Sequence, residues 1–233
     1  MVSGVRSQIF LQAWMLLAGL ALVAGFIAHD LGYFQQVLDA DESRLCILIA
    51  GLFLAATAHA AWHIVRVTRQ IRAAAGWLVA GRVPDASADY PEPDETDFST
   101  PGQFVQDFVS DVRASRSAAS EQPLVLEIYA DRLRASVDTG WYLVDILIRL
   151  GLIGTIIGFI LILGSLSSGP APTPENIQTL LISMSGGMGT ALYTTLAGLV
   201  TAMALGAQYM VLGRGTEELI ALLVRIRDRA GAP

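Results

Sequence analysis

The sequence predicts an all-α membrane protein that crosses the bilayer four times. Of its 233 residues, 53% are hydrophobic and only 15% are charged, whereas charged residues make up about a quarter of a typical soluble domain. A helix of about 18 or more apolar residues is long enough to span a membrane. Four stretches qualify, at about residues 9–28 and 45–65, within residues 143–166 and within residues 177–212.

The first stretch superficially resembles a signal peptide, because Arg6 precedes its apolar core. The core is long for a signal peptide, and no clean cleavage site of small residues follows it. We therefore expect residues 1–66 to form two retained transmembrane helices joined by a short outer loop.

The distribution of arginine predicts the orientation. All fifteen basic residues are arginine; the loop between the first two stretches offers only Arg44, and the loop between the last two offers none. Loops rich in arginine face the cytoplasm, so we expect both termini and the middle loop to be cytoplasmic. The arginines of the middle loop and the tail are Arg66, Arg69, Arg72, Arg82, Arg113, Arg116, Arg132, Arg134, Arg214, Arg225, Arg227 and Arg229.

The middle loop, residues 67–140, is predicted to be of mixed character. Residues 83–102 are acidic and rich in Pro and Ser, a composition typical of a linker that packs no core. From Gln103 to Ala119 apolar residues recur on one helical face, which predicts a helix. Pro123 marks a break before the next one.

The last two transmembrane helices are predicted to extend beyond the bilayer. No strong helix breaker follows Pro123 before the glycines of the third span. A single helix of about 40 residues would be about 60 Å long, and the hydrocarbon core takes only about 30 Å. We therefore predict that residues 141–213 hold the third and fourth spans. One helical stalk in the cytoplasm precedes the third span, and residues 214–233 form a second stalk that follows the fourth span.

Several kinds of chemistry are excluded or disfavoured. The chain has no lysine, so it cannot form a Walker A loop or a Schiff base. We find no pairing of a nucleophile with a base and no nucleic-acid motif, and we predict no enzyme activity and no cofactor. His59 and His63 have a spacing that can bind a metal on a helix, but no third ligand accompanies them, and we predict no metal site. Cys46 is the only cysteine and is interpreted as a small buried residue.

Small and hydroxyl-bearing residues are concentrated on one side of each of the last two spans. In the third span, glycines share a side with Thr155, and Gly154 and Gly158 have GxxxG spacing. Because an α-helix turns by about 100° per residue, the small and hydroxyl-bearing residues of the fourth span form two neighbouring stripes along it, and the opposite side is rich in leucine. The stripes are Ser183, Thr190, Thr194, Ala197, Thr201 and Gln208, and beside them Ala191, Thr195, Ala202 and Gly206.

Two interpretations of these residues remain open. Small residues let helices approach closely, and Ser and Thr can bond to carbonyls of their own helix. This interpretation accounts for the glycines, which we predict to be packing positions at Gly151, Gly154, Gly158 and Gly198. Alternatively, the hydroxyls line a path for water or an ion through the hydrocarbon.

The ion path has no carrier of its own. Neither span holds an acid or a histidine at its centre. Asp145 and Arg149 lie one turn apart at the inner edge of the third span, where we expect them to form an ion pair. A proton pathway normally needs a titratable side chain at depth. If protons move here, a second protein must supply the carboxylate.

At these residues the sequence resembles the MotA/TolQ/ExbB family. LGLIGTIIGFI, residues 150–160, is similar to the family's third-span signature, and GGMGTALYTTLAGL, residues 186–199, to its fourth-span counterpart. The layout of spans and loops is similar too. The chain departs from the TolQ and ExbB branches at Thr190, where they tend to have an acid, and at Ile148 and Arg149, where they usually have Pro and a neutral residue.

The resemblance implies a pore-forming subunit of an ion-driven rotary motor in a bacterial inner membrane, with protons the expected ion. Five chains in contact with lipid would surround two copies of a single-span partner of the MotB, TolR or ExbD type, whose transmembrane Asp carries the ion. Thr155 and Thr195 match the family's pore threonines, with Thr194 beside them, and Thr190 belongs to the same expected path. A structural or signalling scaffold and a channel or transporter that works without a partner are the alternatives.

Overall fold

The protein is all-helical in the residues that its computed structural model describes, which are 2–41, 43–80, 103–115, 122–168 and 177–231. In these ranges six helices follow one another: α1 (Val2–Asp30), α2 (Tyr33–Ala40), α3 (Leu45–Ala80), α4 (Gln103–Ala114), α5 (Gln122–Ser168) and α6 (Ile177–Gly231). Four of them contain stretches long and apolar enough to cross a membrane: Phe10–Asp30, Leu45–Gly76, Pro123–Ser167 and Met184–Arg229.

The long helices are uninterrupted over their described lengths. α5 runs for 47 residues and carries Pro123 in its first turn, where the missing backbone N–H has no helical partner to lose. α4 ends at Ala114, and the end predicted for it at Ala119 lies outside the described residues. The predicted linker, residues 83–102, also lies outside them.

A short helix occupies the predicted outer loop, where the sequence was not read as helical. α2 begins after Gly32, whose φ of 74° lies in the left-handed region that glycine enters without strain. The carboxylate of Asp41 then accepts hydrogen bonds from the backbone N–H groups of Ser43, at 3.1 Å, and Cys46, at 2.7 Å. Asp41 and Cys46 are both buried, and the carboxylate caps the start of α3.

The described residues form two compact units. The first unit comprises the described residues within Met1–Leu16, His59–Thr139 and Tyr209–Pro233, and the second comprises those within Leu17–Ala58 and Gly140–Gln208. Each unit has a core of its own.

In the first unit, α4 packs its apolar face around Tyr129 of α5. The rings of Phe104 and Phe108 contact Tyr129 edge-on, with centroids 5.2 and 5.3 Å away, and the Tyr129 hydroxyl donates a 2.7 Å hydrogen bond to Asp111. Near the C-terminal end of α6 the apolar residues Leu219, Leu222, Leu223 and Ile226 are buried.

In the second unit, the backbones of α5 and α6 touch at glycines. A Cβ atom added to Gly198 would lie 2.8 Å from the carbonyl oxygen of Leu147 and 2.9 Å from the Cα of Gly151. A Cβ at Gly154 would overlap the Thr194 side chain, and one at Gly158 would lie 2.5 Å from the carbonyl oxygen of Gly187. Only glycine fits at these crossings, because any side chain would push the helices apart.

We expect Gly198→Ala to destabilise the second unit. The new methyl group would press on backbone atoms, which cannot rotate away as a side chain can, and overpacking of this kind costs about 1–3 kcal/mol or more. Gly164→Ala on α5 is the matched control, because a Cβ there meets nothing within 4 Å and alanine favours a helix. Thermal unfolding of both variants in detergent checks this; equal midpoints would contradict the close crossing.

The stability of α4 is expected to depend on pH through Asp107. Burial raises the pKa of Asp107 above its ordinary 3.8, and the charge of Asp111 one turn away raises the pKa further. The folded state therefore binds this proton more tightly than the unfolded state, so stability present at low pH is lost as the pH rises through the raised pKa.

Asp107→Asn removes this dependence. We expect hydrogen-exchange protection of α4 amides to exceed that of the wild type at pH 7 and to match it near pH 4. Ser110→Ala on the exposed face of α4 serves as the control and should follow the wild type. Equal losses of protection between pH 4 and 7 in wild type and Asp107→Asn would show that this carboxyl group is not responsible.

Candidate functional site

The threonines predicted to line an ion path fall into two classes of exposure. Thr190 and Thr194 of α6 are fully buried, at 0% exposure each. Thr155 of α5 and Thr195 of α6 are partly exposed. All four belong to the second unit, and of the four only Thr155 and Thr195 have surface that the chain itself leaves uncovered.

Each of these hydroxyls donates to a backbone carbonyl. Thr155 donates to Leu152 at 2.6 Å and Thr194 to Thr190 at 2.7 Å. Thr190 donates to Ala40, at the end of α2, at 2.8 Å. A threonine hydroxyl has one proton and two lone pairs, so these groups keep acceptor capacity after their proton is committed.

Thr195 links the two helices directly. Its hydroxyl lies 3.0 Å from the carbonyl oxygen of Ala191 on its own helix and 3.2 Å from that of Gly151 on α5. Thr155 follows Gly151 by four residues, or about 6 Å along the helix axis. In an α-helix the backbone N–H of residue 155 bonds to the carbonyl of residue 151, so Thr155 and Thr195 both border the Gly151 carbonyl.

The two helical segments that carry these threonines are uncharged. Residues 150–168 and 177–213 contain no acid, no arginine and no histidine. Asp145 and Arg149, at the start of this segment, form an ion pair. The sector of α6 opposite the stripes is apolar and exposed, at Leu192, Leu196, Leu199 and Met203.

The histidine pair on α3 has a partner that the sequence did not reveal. The Nδ1 atom of His59 lies 2.8 Å from the hydroxyl oxygen of Tyr209, which is fully buried, and the rings of His59 and His63 are 4.4 Å apart. Among the described residues, no group of three or more His, Cys, Asp or Glu side chains could hold a metal ion. The feature of the sequence that could have predicted this contact is a tyrosine inside an apolar helix, because a buried tyrosine hydroxyl usually has a hydrogen-bond partner.

No curated protein and no solved structure gave a match. The model of the MotA/TolQ/ExbB proton channel family matches residues 108–224. The match begins in α4, includes Thr155, Thr190, Thr194 and Thr195 with the glycines at the crossing of α5 and α6, and covers half of the 233 residues. The chain is therefore a multi-pass membrane protein of the MotA/TolQ/ExbB proton channel family, a family of channels rather than enzymes.

Proposed function

We propose that this chain is the pore-forming subunit of an ion-driven rotary motor in a bacterial inner membrane. In this proposal five copies surround two copies of a single-span partner of the MotB, TolR or ExbD type, whose transmembrane Asp carries protons. The observation that carries the proposal is the pair Thr155 and Thr195. These residues are partly exposed and border the same carbonyl, that of Gly151, on two helices whose segments there contain no acid.

The hydrogen bonds of these hydroxyls favour one protonation state of the partner's Asp. A protonated carboxyl group donates a hydrogen bond, and the lone pairs of Thr155 and Thr195 can accept it. An ionised carboxylate needs donors, but both hydroxyl protons are already given to carbonyls. The pair is therefore a better partner for the neutral acid than for its anion.

Protonation can gate a step by this means. A charge at the centre of a membrane helix costs about 2.5–3.5 kcal/mol on insertion scales, which corresponds to a shift in population of roughly a hundredfold. Neutralising the Asp would let it pass the threonines of one subunit and release its proton beyond them. The resulting rotation would be transmitted outward by the partner or inward through helical stalks.

In this proposal the four threonines have two different roles. Thr155 and Thr195 line the pathway. Thr190 and Thr194, whose side chains are fully buried, hold the wall behind it by bonding α6 to Ala40 and to its own backbone. The many arginines of the middle loop and the tail favour an orientation in which both termini and the stalks lie in the cytoplasm.

A structural or signalling scaffold is the second candidate. One observation favours it: the hydroxyl of each of the four threonines donates to a backbone carbonyl. Helix packing alone is therefore enough to explain the presence of these threonines. A proton channel that works alone is disfavoured by the uncharged segments around the threonines.

We expect Thr155→Val and Thr195→Val each to reduce ion flux about tenfold, the equivalent of one hydrogen bond of about 1.4 kcal/mol. Valine keeps the shape of threonine and removes its oxygen. Flux is measured as proton entry into vesicles that contain the complex of chain and partner, with assembly checked by gel filtration.

Thr201→Val is the matched control. Thr201 lies on α6 and bonds to the carbonyls of Ala197 and Gly198, as Thr195 bonds to Ala191 on the same helix. We expect this variant to conduct within about twofold of the wild type. Normal flux in both test variants with the complex intact would favour the scaffold.

Native mass spectrometry of the purified complex tests the assembly. We expect five copies of this chain with two copies of a single-span protein, whose sequence places an Asp inside its span. Another subunit ratio, or a partner without that Asp, would contradict the proposed architecture.

A further inference from the structure

The corner that joins α2 to α3 is held together by one residue, Asp41. Its backbone N–H donates to the carbonyl of Val37 in the last turn of α2, at 3.0 Å, and its own carbonyl accepts from the N–H of Arg44, at 3.2 Å. Its carboxylate accepts from Ser43 and from the N–H of Cys46, in the first turn of α3. Asp41 is only 3% exposed, and all of its polar atoms have partners within the corner.

The backbone of Arg44 shows how tightly this corner is constrained. Its φ of 56° lies in the left-handed region, which a residue with a side chain enters at a cost in free energy. Such a conformation persists where the surrounding contacts impose it. Here those contacts centre on Asp41, to which Ser43 donates both its N–H, at 3.1 Å, and its hydroxyl, at 2.6 Å.

The same corner contacts α6 at two successive residues. The carbonyl of Ala40, which directly precedes Asp41, accepts the hydroxyl proton of Thr190 at 2.8 Å. A Cβ atom added to Gly189 would lie 3.3 Å from the Cβ of Ala40, so little space separates α2 from α6 there. All of these residues belong to the second unit. The corner therefore sets the position of the carbonyl to which Thr190 is bonded.

A short series of contacts leads from Thr190 to the candidate pathway. Its own carbonyl accepts the hydroxyl proton of Thr194 at 2.7 Å, and the Thr194 side chain lies against Gly154 of α5. Thr195 is the next residue and bonds to a carbonyl of α5. Thr190 is fully buried, so water does not compete for its bond to Ala40. A shift of the corner would therefore reach the place where α6 meets α5.

We infer that Asp41 is a positioning residue of the ion pathway. Its hydrogen bonds fix the corner, and the corner holds the Ala40 carbonyl against Thr190. This bond keeps α6 in the rotation at which Thr195 meets α5. The inference rests on the proposed function, in which Thr155 and Thr195 line the path and Thr190 belongs to the wall behind it.

The first arm of the test measures hydrogen exchange of the α2 amides in the full chain in nanodiscs. We expect Thr190→Val to speed this exchange about tenfold, the effect of losing one hydrogen bond, although Thr190 lies 150 positions from Ala40. Thr201→Val, whose hydroxyl bonds to carbonyls of its own helix, is the matched control and should exchange as the wild type does. Wild-type exchange in Thr190→Val overturns the inference.

The single cysteine of the chain gives a second readout of the corner. Cys46 is only 7% exposed and its N–H is bonded to Asp41, so a maleimide reaches the thiol when the corner opens. Thr190→Val changes no charge near the thiol, so faster labelling reports opening rather than altered ionisation of the thiol. We expect labelling about tenfold faster than in the wild type. Labelling as slow as in Thr201→Val overturns the inference.

Variants of Asp41 separate its hydrogen bonds from a purely structural role. Alanine removes both acceptor oxygens, whereas asparagine keeps one and still caps a helix. We expect Asp41→Ala to speed α2 exchange about tenfold and Asp41→Asn to restore most of the protection. Because Asp41 acts through Thr190, adding Thr190→Val to Asp41→Ala should change little, whereas independent effects would multiply. Multiplied effects, or no rescue by asparagine in a variant of normal helical content and elution volume, overturn the inference.

Ion flux into vesicles that contain the complex of chain and partner tests the link to the pathway. We expect Asp41→Ala and Thr190→Val each to reduce flux about fivefold, or about 1 kcal/mol, and the exposed Asp30→Asn to stay within about twofold. Flux that falls in Thr155→Val and Thr195→Val but not in Asp41→Ala overturns the inference and leaves the proposed function standing. Normal flux in Thr155→Val and Thr195→Val contradicts the proposed function, and coupled α2 exchange then still supports the hold of Asp41 on Thr190.

Discussion

Contact between the backbones of α5 and α6 is the constraint on which the rest of the site depends. Gly198 faces Gly151 and the carbonyl of Leu147 so closely that no side chain fits. In hydrocarbon there is no hydrophobic force to drive helices together, so they associate by close packing and hydrogen bonds. The same approach brings the Thr195 hydroxyl within reach of the Gly151 carbonyl, which fixes the rotation of α6 against α5.

That rotation determines which hydroxyls are accessible. The side chain of Thr194 lies against Gly154 and is buried. Its neighbour Thr195, about 100° further round the helix, is partly exposed. Bonding to helix carbonyls satisfies the proton of each hydroxyl without a partner from outside. It also leaves a surface of lone pairs, which can accept hydrogen bonds and has no proton left to offer. A hydroxyl stripe of this kind distinguishes a neutral acid from its anion.

The sequence predicted much of this arrangement, and its failures have physical causes. Length and apolarity were enough for four candidate spans, and the spacing of Gly154 and Gly158 indicated a crossing. A helical wheel gives angles around one helix, but not the direction in which a neighbour lies, so Thr194 and Thr195 could not be assigned to different environments. The contact between His59 and Tyr209 joins residues 150 positions apart, beyond any local pattern. α2 was missed because eight residues give too few turns for a clear period.

The absence of an acid from residues 150–168 and 177–213 is as informative as the threonines themselves. A carboxyl group on every subunit of the proposed ring would place five like charges around one lumen, where low polarity strengthens their repulsion. Their protonation would then be coupled, so that the pKa of each group would depend on the charge state of the others. A carrier on a separate helix avoids this coupling, because the threonines of each subunit present acceptors and add no titratable group. In such a design the direction of motion must come from the direction in which protons pass along the pathway, since the proposed ring itself is symmetric.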